Sequence, residues 1–226
     1  MVRIDTIATW NGYVGRPGNA YAHDLACWLG KFDPDLANLQ EAARGLRFIR
    51  PVARDLGYSI HRRAVLGVEG RSTLLLVRHD VPLHAKGAVV VDVPWRGPKA
   101  GIMHPGRVHP TVKAGDVPIR DLSLHMPPGQ ERNAKAFRAN LNAIEHRAEQ
   151  WTVPFVLMGD WNARHSQRGP HSPRAVADAL HADVVHGGRR ARIDYALVRG
   201  FADASYEVHG KRGSDDHRVG ILRLAY

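Results

Sequence analysis

A single-domain α/β fold is what this sequence predicts, on three observations. Apolar runs of strand length alternate along the chain with stretches in which apolar residues recur every three or four positions. The 226 residues suffice for one sizeable α/β or β-sandwich core and fall short of two ordinary domains. No internal repeat, low-complexity tail or interdomain linker divides them.

Val2 to Trp10 reads as the first strand, closed by Asn11-Gly12. The glycines of Gly12-Tyr-Val-Gly-Arg-Pro-Gly18 match neither the dinucleotide nor the P-loop spacing. Asn19 can cap a helix to about Leu29, with Ala22, Leu25, Ala26 and Leu29 on its apolar face. Leu36 to Gln40 is a short strand ending in Glu41, and Ala42 to about Leu56 a helix that Pro51 should bend or split. Tyr58 to Arg62, Thr73 to Arg78 and Ala88 to Val93 read as consecutive strands of an antiparallel meander. Pro94 to Pro118, rich in Gly, Pro and His, suggests a loop with one irregular strand. Ile119 to Leu124 is a strand with His125 at its end, and Gln130 to Gln150 the longest helix, with Ala134, Phe137, Leu141, Ile144 and Ala148 in register. Beyond it lie a strand at Phe155 to Met158, a short helix around Arg174 to Leu180, and strands at Ile193 to Val198 and Val219 to Leu224.

The stretch Pro154-Phe-Val-Leu-Met-Gly-Asp-Trp-Asn-Ala-Arg164 organises this series. Its apolar run ends at Gly159, where the backbone can turn, and delivers Asp160 and Asn162 together. The pattern recurs: Asn11, Glu41 and His125 also follow apolar strands, whereas Asp194 and the Asp216-His217 pair lie at or just before the start of one. In a mixed sheet the end of one strand neighbours the beginning of its antiparallel partner, so both sets can share one rim.

The formal charge is +10 and the sequence pI near 10.2, with Arg well in excess of Lys. Guanidinium forks match phosphate oxygens, so this balance suits a polyanionic partner such as nucleic acid. No apolar stretch approaches the ~18 residues of a membrane helix. The start of the chain lacks the layout of a secretory signal, which leads us to expect a cytoplasmic protein with no membrane partner, acting as a monomer. Cys27 stands alone, which excludes an internal disulfide and a multi-cysteine zinc site, and its helical setting suggests a buried thiol. Most other histidines, among them His61, His79, His84, His181 and His209, read as surface or turn residues.

The composition of the shared rim narrows the chemistry. Carboxylate and amide oxygens from Glu41, Asp and Asn suit Mg²⁺ or Mn²⁺ better than zinc. Two imidazoles beside several carboxylates offer proton handling and charge stabilisation. Gly-x-Ser-x-Gly is absent and Cys27 lies elsewhere, so the nucleophile should be water and the substrate a phosphoester.

Thr9-Trp-Asn11, Leu39-Gln-Glu41, Leu124-His125, Gly159-Asp-Trp-Asn162, Arg192-Ile-Asp-Tyr195 and Ser214-Asp-Asp-His217, in that order, resemble the motif series of the endonuclease/exonuclease/phosphatase superfamily. Its members include pancreatic deoxyribonuclease and the abasic-site endonucleases. The resemblance implies a four-layered α/β sandwich, with two mixed, mainly antiparallel sheets face to face and helices outside, and a divalent-metal-dependent phosphoesterase. It implies that Glu41 is the main metal carboxylate, with Asn11 close by and Asp216 completing that side. Asp160 would orient or deprotonate the attacking water, Asn162 would bind the scissile phosphate, and His217 would contact the phosphate under the control of Asp194. His125 matches the additional histidine of the deoxyribonuclease branch.

The chain departs from the family pattern in its last motif, where the extra Asp215 can compete with Asp216 and the usual Pro after the His is missing. Arg71 and Arg107 are candidates for a mid-chain family arginine, and Arg189, Arg190 and Arg192, beside Asp194, for contacts to flanking phosphates, as is Arg164. The leading reading is a Mg²⁺- or Mn²⁺-dependent nuclease acting on DNA, with RNA open. The alternatives are a phosphoesterase for a small-molecule or lipid phosphate, and a non-catalytic nucleic-acid-binding protein on the same fold.

Overall fold

A computed structural model of the chain describes residues 1–12, 18–42, 45–61, 73–97, 103–104, 106–127, 133–188, 193–209 and 218–226. The strands are β1 (Thr6–Asn11), β2 (Leu36–Gln40), β3 (Tyr58–His61), β4 (Leu74–Arg78), β5 (Leu83–Val91), β6 (Trp95–Arg96), β7 (Met103–His104), β8 (Arg107–Ala114), β9 (Ile119–His125), β10 (Phe155–Asp160), β11 (Asp183–Val185), β12 (Asp194–Arg199), β13 (Asp203–His209) and β14 (Val219–Ala225). The helices are α1 (Gly18–Phe32), α2 (Leu46–Asp55), α3 (Ala134–Glu149) and α4 (Pro173–Ala179).

The strands form two six-stranded sheets, ordered β13-β14-β1-β2-β4-β3 and β11-β12-β10-β9-β8-β5, and a small β6–β7 ribbon. Each large sheet has one parallel pair, β1–β2 and β9–β10, amid antiparallel neighbours. A parallel pair needs a crossover, and α1 and α3 supply it. Alternation along the strands then sorts the core into three apolar layers. Ile7, Leu36, Val156 and Val198 pack between the sheets. Trp10, Leu25, Leu39 and Ile49 fill the space under α1 and α2, and Leu124, Phe137, Leu157 and Val176 that under α3 and α4. Helix, sheet, sheet, helix are the four layers of the expected sandwich.

Several elements differ from the sequence expectation for identifiable reasons. β1 begins at Thr6 because the side chain of Asp35 captures the amides of Asp5 and Thr6 at 2.8 and 2.9 Å. The face of α1 that is buried carries Tyr21 and Trp28 beside Leu25 and Leu29, while Cys27 is exposed, not buried. Pro51 neither splits nor ends α2, which starts only at Leu46. The meander is broken: β3 pairs with β4, but β4 returns to β2, and β5 crosses to the other sheet beside β8. The 94–118 region holds the β6–β7 ribbon and a regular eight-residue strand, β8, not a single irregular strand. β11 and β13, edge strands with polar or half-exposed residues, escaped the apolar-run criterion. Among the described residues no helix is long and apolar enough to cross a membrane.

Candidate active site

Register brings the polar strand ends together. In the first sheet Asn11 pairs with Gln40, so Glu41 is the first residue past β2. In the second, Asp160 pairs with His125 on one side and with Asp194 on the other. The two parallel pairs lie across from each other, β1 and β2 against β10 and β9. The carboxyl ends of all four strands therefore open on one rim.

Asp160, 1% exposed, is the hub. Its Oδ1 accepts the Asn162 amide N–H at 2.8 Å, and its Oδ2 accepts the side-chain Nδ2 of Asn11 at 2.9 Å and of Asn162 at 3.2 Å. The Asn11 bond crosses from one sheet to the other. Asn162 also donates from Nδ2 to the Met126 carbonyl at 2.9 Å, so both of its amide hydrogens are directed at protein oxygens. The chain turns at Asn162, whose φ is 48°, and not at Gly159 as expected. Gly159 stays in β10 with φ 147°, and any side chain there would run into the Leu124 carbonyl and approach the Gln40 amide to 2.9 Å. The glycine is required by close approach.

His125 presents Nε2 3.8 Å from Glu41 Oε1 and 3.8 Å from Asp160 Oδ2. Glu41 also has a left-handed backbone, with φ 55°. Two non-glycine residues with positive φ at one site mark stored backbone strain. Behind His125, its amide N–H bonds His109 Nδ1 at 3.3 Å, and His109 Nε2 lies 2.7 Å from Asn140 Oδ1 on α3. Burial first, and the Arg107 charge after it, pull the His109 imidazole down to about 4, against the opposing pull of Asn140.

Below the rim, a buried polar column ties the sheets together. Gln40 Nε2 donates to Ser123 Oγ at 3.4 Å, Asn38 Nδ2 to Asp121 Oδ1 at 3.2 Å, and Thr9 Oγ1 to Gln40 Oε1 at 3.3 Å. Burial pushes the Asp121 carboxyl up to about 7, although the Asn38 and Leu122 hydrogen bonds oppose it. Tyr195 and Tyr206 are raised well above the phenol range by burial and then by neighbouring carboxylates, Asp160 and Asp194 for the first and Asp194 for the second. Both stay neutral hydroxyls.

The structure thus brings together Asn11, Glu41, His125, Asp160, Asn162 and Asp194. Asp215, Asp216, His217, Arg71, Arg189, Arg190 and Arg192 lie outside the described residues. Arg164 is exposed on the loop after Asn162. Arg107, expected to reach for substrate, is 6% exposed, and its Nη1 lies 3.1 Å from His125 Nδ1. Sequence reasoning missed His109, Trp95 and Asp121. His61, expected at the surface, is half-buried, and burial followed by the Lys86 charge lowers it to about 4.

Among the described residues no three His, Cys, Asp or Glu side chains form a metal-binding group by themselves. The donor chemistry on the rim nevertheless fits a hard divalent ion. The Glu41 carboxylate is 18% exposed at its mouth, and the Asn11 amide, which donates through Nδ2, has its oxygen as the second pole.

The profile of the Endonuclease/Exonuclease/phosphatase family matches residues 8–215. No curated protein sequence matches the chain. Similar solved structures include truncated TDP2 from Caenorhabditis elegans, with TM-score 0.71, 15% identity and coverage of 98% of both chains. A protein from Enterococcus faecalis V583 of unknown function superposes with TM-score 0.73 at 16% identity, covering 97% of this chain and 99% of the other. A mannosyl-6-phosphatase from Bacteroides thetaiotaomicron superposes with TM-score 0.67 at 16% identity, covering 98% of this chain and 99% of the other. At these identities the structures speak to the fold, and that fold is the one the family profile demands. With its four layers and its rim of strand-end carboxylates and amides, the chain belongs to the Endonuclease/Exonuclease/phosphatase family, a superfamily of phosphoesterases.

Proposed function

We propose that the protein is a divalent-metal-dependent phosphodiesterase that cuts DNA, with water as the nucleophile. The observation that carries this reading is the bond between Asn11 and Asp160, which joins the two sheets at the rim where Glu41, His125 and Asn162 also converge. Glu41 and the Asn11 oxygen, with Asp216 or Asp215, would hold Mg²⁺ or Mn²⁺, which supplies Lewis-acid stabilisation of charge developing on the phosphoryl oxygens.

The chain's own groups then divide the remaining work. Asp160, gripped by two asparagines, orients the attacking water by accepting its O–H. Asn162, with both amide hydrogens committed to Asp160 and Met126, serves that grip and does not itself donate to the phosphate. The phosphate contact passes instead to His125 Nε2 and to His217, with Asp194 orienting the latter. Preorganised donors aimed at developing negative charge are worth most in such a desolvated setting. The positive balance of the chain favours a polynucleotide over an isolated phosphate.

The test is nicking of supercoiled plasmid in Mg²⁺ or Mn²⁺, with chelator as control. Loss of turnover by about 10²-fold or more in Asp160→Ala and His125→Ala is expected. Full activity in either variant ends the mechanism. The likeness to a mannosyl-6-phosphatase makes a sugar phosphate the proper competing substrate under the same metal conditions. Turnover of that substrate alone would replace DNA as the substrate and leave the chemistry standing.

A further inference from the structure

Arg107 is a buried cation whose guanidinium faces an imidazole. Its Nη1 lies 3.1 Å from His125 Nδ1, and its Nη2 donates at 3.3 Å to the Met126 carbonyl that Asn162 also uses. The guanidinium carbon sits 4.2 Å from the centre of the Trp95 ring. Trp95 is fixed in turn: its indole N–H donates to the Gly106 carbonyl at 3.3 Å, and the His104 ring stacks on it at 4.2 Å. Asn133, at the start of α3, holds the next residue at both ends, accepting the Arg96 amide at 2.7 Å and donating to the Arg96 carbonyl at 3.1 Å. This places the guanidinium by packing on a rigid platform, with Arg107 6% and Trp95 2% exposed.

The geometry points to Arg107, held by Trp95, as a positioning residue that sets the tautomer of His125, with the proton on Nε2 and the lone pair on Nδ1. A guanidinium has five N–H donors and no acceptor, so a bond between Nη1 and Nδ1 exists only when Nδ1 carries the lone pair. The proton is then on Nε2, the nitrogen 3.8 Å from both Glu41 Oε1 and Asp160 Oδ2. A lone pair facing those two carboxylates would be repelled, and an N–H is attracted. The far side of the ring thus decides what the near side offers: a hydrogen-bond donor, and neither a base nor a metal ligand.

The tautomer stands on the contacts alone; that its N–H meets a phosphate oxygen rests on the phosphodiesterase reading above. Nothing in the residue types foretold it, since in the sequence Arg107 is only a candidate for a mid-chain family arginine that contacts substrate.

The experiment records the ring nitrogens of ¹⁵N-histidine-labelled protein by two-bond ¹H–¹⁵N correlation. His109 serves as internal reference, because its Nε2 faces Asn140 Oδ1 and its Nδ1 accepts the His125 amide. Wild-type His125 is expected as a single tautomer with Nε2 protonated and Nδ1 pyridine-like. In Arg107→Met, and in Arg107→Gln if the first variant loses the His109 signature, the His125 nitrogens should shift toward each other as the two tautomers mix. In the plasmid assay, kcat should fall by about 10–100-fold, the usual consequence of freeing such a ligand-orienting group. Protonated Nδ1 in the wild type, or an unchanged single tautomer in a folded Arg107 variant, overturns the proposal. The expected tautomer in a protein without phosphodiesterase turnover would instead sink the functional reading and leave this one intact.

Discussion

Glu41 and Asn162 are held at φ 55° and 48°, a backbone region in which L-residues other than glycine are strained. Each is the residue at which a strand-end segment turns onto the rim, so the strain is tied to where the side chain must point. A glycine at position 41 relieves the backbone and removes the carboxylate. We expect Glu41→Gly to match or exceed the wild type in stability, by up to about 1 kcal/mol, while abolishing metal-dependent turnover. Glu41→Ala should lose turnover equally without the gain. Urea midpoints of the three proteins check this, and a Glu41→Gly variant less stable than Glu41→Ala would mean that Glu41 is not strained. Gly159 is the opposite case: its missing side chain leaves room for the Leu124 carbonyl and Gln40. Gly159→Ala should therefore destabilise by about 3 kcal/mol or more, measured in the same way.

At the scale of the strands, β8 and β9 carry two buried ionisable groups whose effects on stability oppose each other. Asp121 has its folded value raised to about 7, so the folded state keeps a proton that the unfolded state gives up near 4, and its contribution is lost as pH rises through that window. His109 has its folded value lowered to about 4, so the unfolded state binds the proton first, and its contribution is lost as pH falls from about 6.5 toward 4. Between about pH 4 and 6.5 the two slopes cancel, and stability should change little on their account. Asp121→Asn removes one side of that balance. The variant should gain stability relative to wild type above neutrality, by about 2–4 kcal/mol, and lose it progressively on acidification. Thermal melts at closely spaced pH values measure this, and a wild-type curve parallel to that of Asp121→Asn would exclude a protonated Asp121. Neither group was legible in the sequence. β8 is hidden in a Gly-, Pro- and His-rich stretch, and no pattern along either strand can reveal that a buried polar residue meets a polar partner from another layer, as Asp121 meets Asn38 on the opposite sheet and His109 meets Asn140 on α3. β5 shows the same limit: its first half is polar and half-exposed, so only its apolar second half was visible.

Over the whole molecule, two β-α-β crossovers, β1-α1-β2 and β9-α3-β10, stand face to face with their carboxyl ends together. That arrangement made the site legible from strand ends alone: Asn11, Glu41, His125 and Asp160 each follow an apolar run because each ends or follows one of these four strands. Arg107 could not be read this way, since its position depends on Trp95, a ribbon residue with no strand-end signature. The overall charge of +10 belongs to this scale too, because it is a property of the surface and not of the rim. If DNA is the substrate, binding to the silenced Asp160→Ala protein must release counterions. The logarithm of its association constant should then fall linearly with the logarithm of salt concentration, at about 0.9 per phosphate neutralised on duplex. A chain with a formal charge of +10 and Arg164 exposed on the loop after Asn162 should neutralise three or more phosphates, which predicts a slope steeper than about −2.5. A shallow slope would mean that the substrate presents one or two phosphates at most, and the positive balance would then have no part in recognition. The slope therefore separates a polynucleotide from a small phosphoester even before turnover is measured, because it counts charges on the ligand and is indifferent to the chemistry at the rim.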